Sequence, residues 1–252
     1  MKTRFYLFLI PLTFLFCQSA FSQISRQTFK YNLFGGDMSL QQYVSDAGSN
    51  AGFILGQYQD FANQSFAAMI KLDSQMNVQW ARSFETDSLF IFQQAFSSAD
   101  NGFYIVGNIL SALSSWENTA VFKVDQNGSA LWGRFYPNFV TGVEAAAMDD
   151  GGTILMGNGM VMGNFQDHLN LTRLDAGGQM IYSFTYDIPG WDLRAQAVVG
   201  LPGGECMALA LQSTPTSGYG VQVVIVHLDA QGQVIRSRTL DNGIDNYTKA
   251  GM

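Results

Sequence analysis

The chain has 252 residues, of which 47% are hydrophobic, 13% aromatic and 13% charged, with a net charge of −7. So much apolar content with so little charge excludes a disordered chain, and the acidic balance excludes a sequence-independent grip on nucleic acid, which needs a basic stripe to release counterions. Two cysteines cannot staple a body of this size, and 26 glycines without a triplet period exclude a collagen.

Residues 1–22 read as a secretory signal. Lys2 and Arg4 make a positive start, and Phe5–Phe16 is an apolar run broken by Pro11 and too short to span a bilayer comfortably. Ala20 and Ser22 are the small residues of a cleavage site, expected between Ser22 and Gln23. Phe16 stands where a lipoprotein signal needs a small residue before Cys17, so lipidation is not expected. Cleavage removes Lys2 and Arg4, taking the charge to −9, and removes Cys17, leaving Cys206 alone. An intramolecular disulfide is then impossible. Cys206 follows a Gly-Gly turn in an apolar run and reads as a buried structural thiol. No apolar run of 18 residues follows the signal, so residues 23–252 are expected to be a soluble repeat domain, periplasmic, secreted or at the cell surface.

Residues 23–37 contain one strand, Gln27–Phe34, and then a pattern recurs over about 38–87, 88–139, 140–190 and 191–242. Its clearest landmark is basic–aliphatic–Asp: Lys71-Leu72-Asp73, Lys123-Val124-Asp125, Arg173-Leu174-Asp175 and His227-Leu228-Asp229, with aspartates 52, 50 and 54 residues apart. Turn glycines Gly52, Gly102, Gly152 and Gly204 keep the same period. Seven residues after each Asp come Trp80, Trp132, Tyr182 and Arg236. Each unit reads as four strands. In the second these lie near Ile91–Ser98, Phe103–Gly107, Thr119–Asp125 and Ala130–Phe135, with turns at Asn101-Gly102 and Gln126-Asn127-Gly128. Val121, Phe122 and Val124 are apolar on both faces of the third strand, as suits a sheet covered on both sides. Residues 243–252 resemble only the start of a further unit.

Four-stranded units of about 50 residues that must cover one another's faces are the blades of a β-propeller. The fold class is therefore all-β: a propeller of about four four-stranded blades, whose ring the chain ends leave incomplete or closed by improvisation. Trp80, Trp132 and Tyr182 are expected to pack between blades. The string Asn101-Gly102-Phe103-Tyr104-Ile105-Val106-Gly107, with Val121-Phe122-Lys123-Val124-Asp125-Gln126-Asn127-Gly128 and Trp132, resembles repeats of secreted bacterial β-propeller proteins of the Bacteroidetes type. The resemblance covers about residues 28–250 and implies fold and export. It implies no activity. The chain departs from it in a degenerate fourth repeat and in lacking the sorting domain that often follows.

Chemistry-bearing residues are few. His168 and His227, the only histidines, occupy different repeat positions and are expected to be solvated polar residues and not metal ligands. Asp149-Asp150 falls at the repeated turn, where Asp is turn chemistry. Asp125-Gln126-Asn127-Gly128 lacks the spaced oxygens of a calcium loop. The Asp-to-Trp spacing approaches that of quinoprotein propellers, which use about twice as many blades to enclose their cofactor. The sequons at Asn63, Asn127, Asn170 and Asn246 carry little weight in a chain of bacterial type. No catalytic, cofactor-binding or metal-binding residue is assigned, and no cofactor is expected.

Two functions remain open. The first is a secreted non-enzymatic module that is structural or binds protein or glycan through the loops between second and third strands: Gln57–Gln64, Asn108–Asn118, Asn158–Asp167 and Gln212–Gly220. These share a repeat position, differ in sequence, and carry Trp116, Phe165 and Tyr219. The second is an extracellular polysaccharide hydrolase or lyase using a carboxylate pair in the central channel, with Glu144, Asp149, Asp150 and Asp167 as candidates.

Overall fold

A computed structural model of the chain describes residues 37–45, 52–59, 65–84, 89–100, 102–110, 117–136, 141–160, 167–213 and 222–240. They form sixteen strands in four antiparallel sheets. The first sheet holds β1 (Asp37–Ser45), β2 (Gly52–Gln59), β3 (Ser65–Leu72) and β4 (Val78–Phe84). The second holds β5 (Leu89–Ser97), β6 (Phe103–Leu110), β7 (Glu117–Val124) and β8 (Ala130–Tyr136). The third holds β9 (Thr141–Ala147), β10 (Thr153–Met160), β11 (Asp167–Leu174) and β12 (Met180–Tyr186). The fourth holds β13 (Asp192–Gly200), β14 (Cys206–Ser213), β15 (Gln222–Leu228) and β16 (Val234–Leu240). Each sheet is a meander with its strands in sequence order, and the four are the blades of a β-propeller. Among the described residues no helix is long and apolar enough to cross a membrane. The signal segment, Gln27–Phe34 and residues 243–252 lie outside the described residues.

The repeated aspartate makes the hairpin between third and fourth strands. Asp73, Asp125, Asp175 and Asp229 each directly follow the third strand. In every case one carboxylate oxygen accepts the amides of residues two and four positions on, at 2.8–2.9 Å. The Asp amide donates in return to the carbonyl four residues on. A side chain that mimics a backbone turn is what Asp supplies here. The third turn residue has positive φ: Gly128 (76°), Gly178 (76°), Gly232 (80°) and, in the first sheet, Met76 (65°).

Strand register corrects one landmark. Phe103, Thr153, Cys206 and Gly52 occupy the same place, opposite Val124, Leu174, Leu228 and Leu72. Gly102 and Gly152 are therefore true equivalents, whereas Gly52 sits one residue later and Gly204 one earlier. Backbone crowding explains the first two, since a Cβ at either would collide with the carbonyl of Val124 or Leu174. In the fourth sheet a 3₁₀ turn, Pro202–Gly204, reshapes the hairpin.

Each sheet packs on the next. Phe53, Leu55 and Met69 bury against Phe103, Ile105 and Phe122. Tyr104, Val106 and Val121 meet Val143, Leu155 and Leu174. Ile154, Met156 and Leu171 meet Cys206, Ala208 and Leu228. Central strands are thus buried on both faces, as β11 shows from His168 to Leu174. Inner strands are also tied laterally. The Gln42 amide exchanges two hydrogen bonds with the Ala95 backbone at 2.7 and 2.8 Å, and Gln94 accepts the Ala145 amide at 2.9 Å. No buried cluster joins the fourth sheet to the first among the described residues. The forward face of the fourth sheet carries Met207 and Val199, 37% and 50% exposed.

The recurrent aromatics pack between blades, as their spacing predicts. Trp80 lies against Gly128, Trp132 against Gly178, and Tyr182 with Phe184 against Gly232, always on the turn of the following blade. The Trp132 indole donates to the Ala176 carbonyl at 3.0 Å, and Tyr136 donates to the Gly178 carbonyl at 2.7 Å. Lys123 is 2% exposed and pairs with Asp100 at 2.5 Å. It also donates forward to the carbonyls of Gly151 and Ala176, at 3.2 and 3.4 Å. Lys71 makes the matching contact to the Gln126 carbonyl at 3.5 Å. A buried ammonium is tolerated because three acceptors and the Tyr104 ring surround it.

Candidate functional site

The meander separates two ends of every sheet. One end carries the Asp hairpins and the turns between first and second strands. The other carries the connections between second and third strands, which leave from Gln59, Leu110, Met160 and Ser213. Strands extend further into these connections than expected: β6 runs to Leu110 and β7 begins at Glu117. Trp116, Phe165 and Tyr219 lie outside the described residues.

The four candidate carboxylates do not converge. Asp150 is at the turn end, where its carboxylate pairs with Arg173 at 2.6 Å and accepts the Gly152 amide at 2.9 Å. Desolvation raises its pKa, but the hydrogen bonds from Arg173 and Gly152 outweigh it and hold the carboxyl below its usual value. Asp149 accepts the Gly203 amide at 2.7 Å and so ties the third sheet to the fourth. Glu144 lies mid-strand opposite Met156, half-buried, and desolvation pushes its pKa up. Asp167 opens β11 at the opposite end from Arg173. Six residues of extended chain separate the two, roughly 20 Å at about 3.3 Å per residue. No two of these side chains are placed to serve one glycosidic bond, except the adjacent Asp149 and Asp150, and both of those are engaged by the turn.

Both histidines differ from expectation. His168 is buried, 4% exposed, and its Nδ1 lies 3.9 Å from a carboxylate oxygen of Asp187. It alternates with Leu169 on a strand covered on both faces, which leaves no solvated position. His227 is part-buried and pairs with Glu205 at 2.8 Å. In the fourth sheet this pair replaces Lys123–Asp100 and Arg173–Asp150. Near His168, Asp167 pairs with Arg194 at 3.3 Å and its amide donates to Asp192 at 3.1 Å. Among the described residues no group of three or more His, Cys, Asp or Glu could hold a metal ion. Cys206 is fully buried, and desolvation pushes its thiol up to about 11.

Two concavities flank the third and fourth blades, and sequence reasoning named neither. A groove of 610 Å³ runs between their outer strands, lined chiefly by apolar side chains such as Leu169, Phe184, Tyr186, Val224 and Val226. A notch of 390 Å³ lies at the turn end, lined by Asp149, Arg173, Ile181, Gly204 and Ala230 among others.

No family model matches the chain, and no curated protein matches it. Among solved structures, the β-propeller domain of the Trilobed protease from Pyrococcus furiosus matches at 8% identity and a TM-score of 0.49, over 83% of this chain and 71% of that one. A DUF4221 member from Bacteroides vulgatus matches at 12% identity and 0.43, over 82% and 81%. A GH43 endo-arabinanase from Bacillus licheniformis matches at 12% and 0.38, over 83% and 79%. These likenesses carry no argument about activity; the propeller assignment rests on the strand order and packing above.

Proposed function

We propose that the chain is an exported, non-enzymatic propeller module of a secreted bacterial repeat protein, which binds protein or glycan on the surface formed by its second-to-third-strand connections. One observation carries this reading: every hairpin Asp and every interblade aromatic sits in the constant frame, while the connections that differ between repeats all leave the opposite sheet end. A constant frame with one variable end is how a scaffold presents recognition. The engagement of Asp149 and Asp150 in turns supports the non-enzymatic half.

The test joins a glycan array to a reducing-end release assay on the same polymers, using protein recovered from the periplasm or medium. Saturable binding without release is expected, weakened by Trp116→Ala or Tyr219→Ala while melting is unchanged. Release that is lost in Glu144→Gln or Asp167→Asn would overturn the reading. N-terminal sequencing should begin at Gln23; recovered exported protein that still begins at Met1 would overturn the export step.

A further inference from the structure

The notch between the third and fourth blades is a clasp that this chain leaves unfilled. At the preceding interface the same place is occupied from within. Lys123 Nζ reaches the carbonyls of Gly151 and Ala176, and the Trp132 indole N–H also donates to Ala176. One blade on, register makes Gly204 the equivalent of Gly151 and Ala230 the equivalent of Ala176; both glycines have φ of 81°. The donors are missing. Arg173 takes the place of Lys123 but turns back to Asp150 and to the Leu174 carbonyl, at 2.6 and 3.0 Å. Tyr182 takes the place of Trp132, and its hydroxyl is buried beside the Cys206 thiol with no oxygen or nitrogen partner. Gly204 and Ala230 line the resulting space of 390 Å³, within the roughly 300–1,000 Å³ of small-molecule pockets.

A second feature sets the charge. Asp149 lines the notch where the second sheet has Ala99 in the corresponding position. The Arg173 charge is already balanced by Asp150, so Asp149 adds an unmatched carboxylate at the mouth. The preceding interface shows what such a place accepts: an ammonium balanced by one carboxylate, with a flat aromatic N–H donor beside it. We propose that this notch binds a small aromatic amine, its ammonium directed to Asp149 and the carbonyls of Gly204 and Ala230, its ring packing on Ile181 beside Ala230, because Tyr182 and Phe184 already cover the Gly232 turn. The inference is independent of the loop surface proposed above.

Tryptamine is the probe, since it carries both donors on one small body, and indole-3-ethanol is its neutral counterpart. Calorimetry on the full chain should show saturable tryptamine binding, with indole-3-ethanol weaker by about tenfold or more, the loss expected for a charge-assisted contact. Asp149→Ala, which restores the residue of the second sheet, should weaken tryptamine by a similar factor; it also removes the Gly203 hydrogen bond and so lowers melting by a few degrees, and binding is read well below that temperature. The double variant Arg173→Lys, Tyr182→Trp rebuilds the clasp, so it should abolish binding and melt no lower than the parent. Absence of tryptamine binding to the parent would overturn the proposal, and so would equal binding by parent, Asp149→Ala and the rebuilt variant. Equal affinity for amine and alcohol would overturn the charge assignment, and the proposal with it.

Discussion

Replacing Trp132 by Ala tests whether the interblade clasp holds the propeller together. The indole is only half-buried, so the full loss of about 3–5 kcal/mol for a core Trp overstates its share. Three contributions remain. The hydrogen bond to the Ala176 carbonyl at 3.0 Å is worth about 1 kcal/mol. The edge-on contact with Tyr104, centroids 5.9 Å apart, adds about 0.5–1.5 kcal/mol. Apolar area covered on the Gly178 turn adds about 1 kcal/mol. The sum is about 3 kcal/mol, or a fall in melting temperature of about 6–12 °C for a body of this length. Leu131→Ala is the matched control: it is the preceding residue on the same strand, 57% exposed, and should change stability by under about 0.5 kcal/mol. Trp132→Ala removes one of the four tryptophans and so changes the fluorescence baseline; urea denaturation followed by far-ultraviolet circular dichroism, which reads both variants alike, is the assay. Equal losses for the two variants, or a loss below about 1 kcal/mol for Trp132→Ala, would refute the clasp.

Met76→Gly should stabilise the chain by about 0.5–1 kcal/mol, because a non-glycine at φ 65° gives way to the residue that this turn position takes in the other three repeats; thermal melting checks it. Asp125→Ala should cost about 1–2 kcal/mol by removing the acceptor of two turn amides, while Asp125→Asn keeps that oxygen and most of the stability; chemical denaturation of the pair decides. Stability should also fall at high pH. Desolvation pushes Cys206 to about 11 and Tyr136 and Tyr186 to about 12, so the unfolded chain releases these protons first. Their contribution is whole below the ordinary thiol and phenol values and is lost as pH rises through about 11–12. The matching chemical readout is a Cys206 thiol that resists a maleimide until the protein is unfolded.

The frame was legible because it is repeated and local. An aspartate that accepts amides two and four residues on needs no distant partner, so Asp73, Asp125, Asp175 and Asp229 could be aligned by spacing alone, and the strands followed from them. The aromatic seven residues later was legible for the same reason. Glycine was a poorer marker. It answers to local crowding, which differs between sheets: a 3₁₀ turn reshapes the hairpin at Gly204, and the Tyr43 ring stands against Gly52, so neither keeps the register of Gly102 and Gly152. His168 departs from a solvated position because of its strand and not its chemistry: β11 is covered on both faces, and every residue from His168 to Leu174 is buried. The notch was illegible because it is an absence. Nothing in Arg173 or Tyr182 alone announces a space; it emerges only when Lys123 and Trp132 show what the place normally holds.

The irregular fourth repeat then has a physical explanation. At three interfaces the forward face of a blade is covered by the next, and there the outer strand places Trp80, Trp132 and Tyr182 over a neighbouring turn. The fourth sheet has no described neighbour on that face, and the same position is Arg236, exposed and opposite His227 in the register. Arg238 follows two residues on, on the same face. An aromatic there would present a large apolar surface to water and invite association, whereas Arg covers the apolar stem of its neighbours and keeps its charge hydrated. The basic residue beside it is likewise weakened from a buried Lys or Arg to a part-buried His paired with Glu205 at 2.8 Å. Substitution in this repeat follows cover at the outer strand: positions facing the third sheet stay small and apolar, as Cys206, Ala208 and Ala210 do, while the forward face turns basic at Arg236 and Arg238 and stays apolar further in, at Met207 and Val199. Among the described residues, the outer strand of the last unit departs from the repeat pattern on the face that no other described blade covers, which accounts for Arg236 where earlier units have an aromatic.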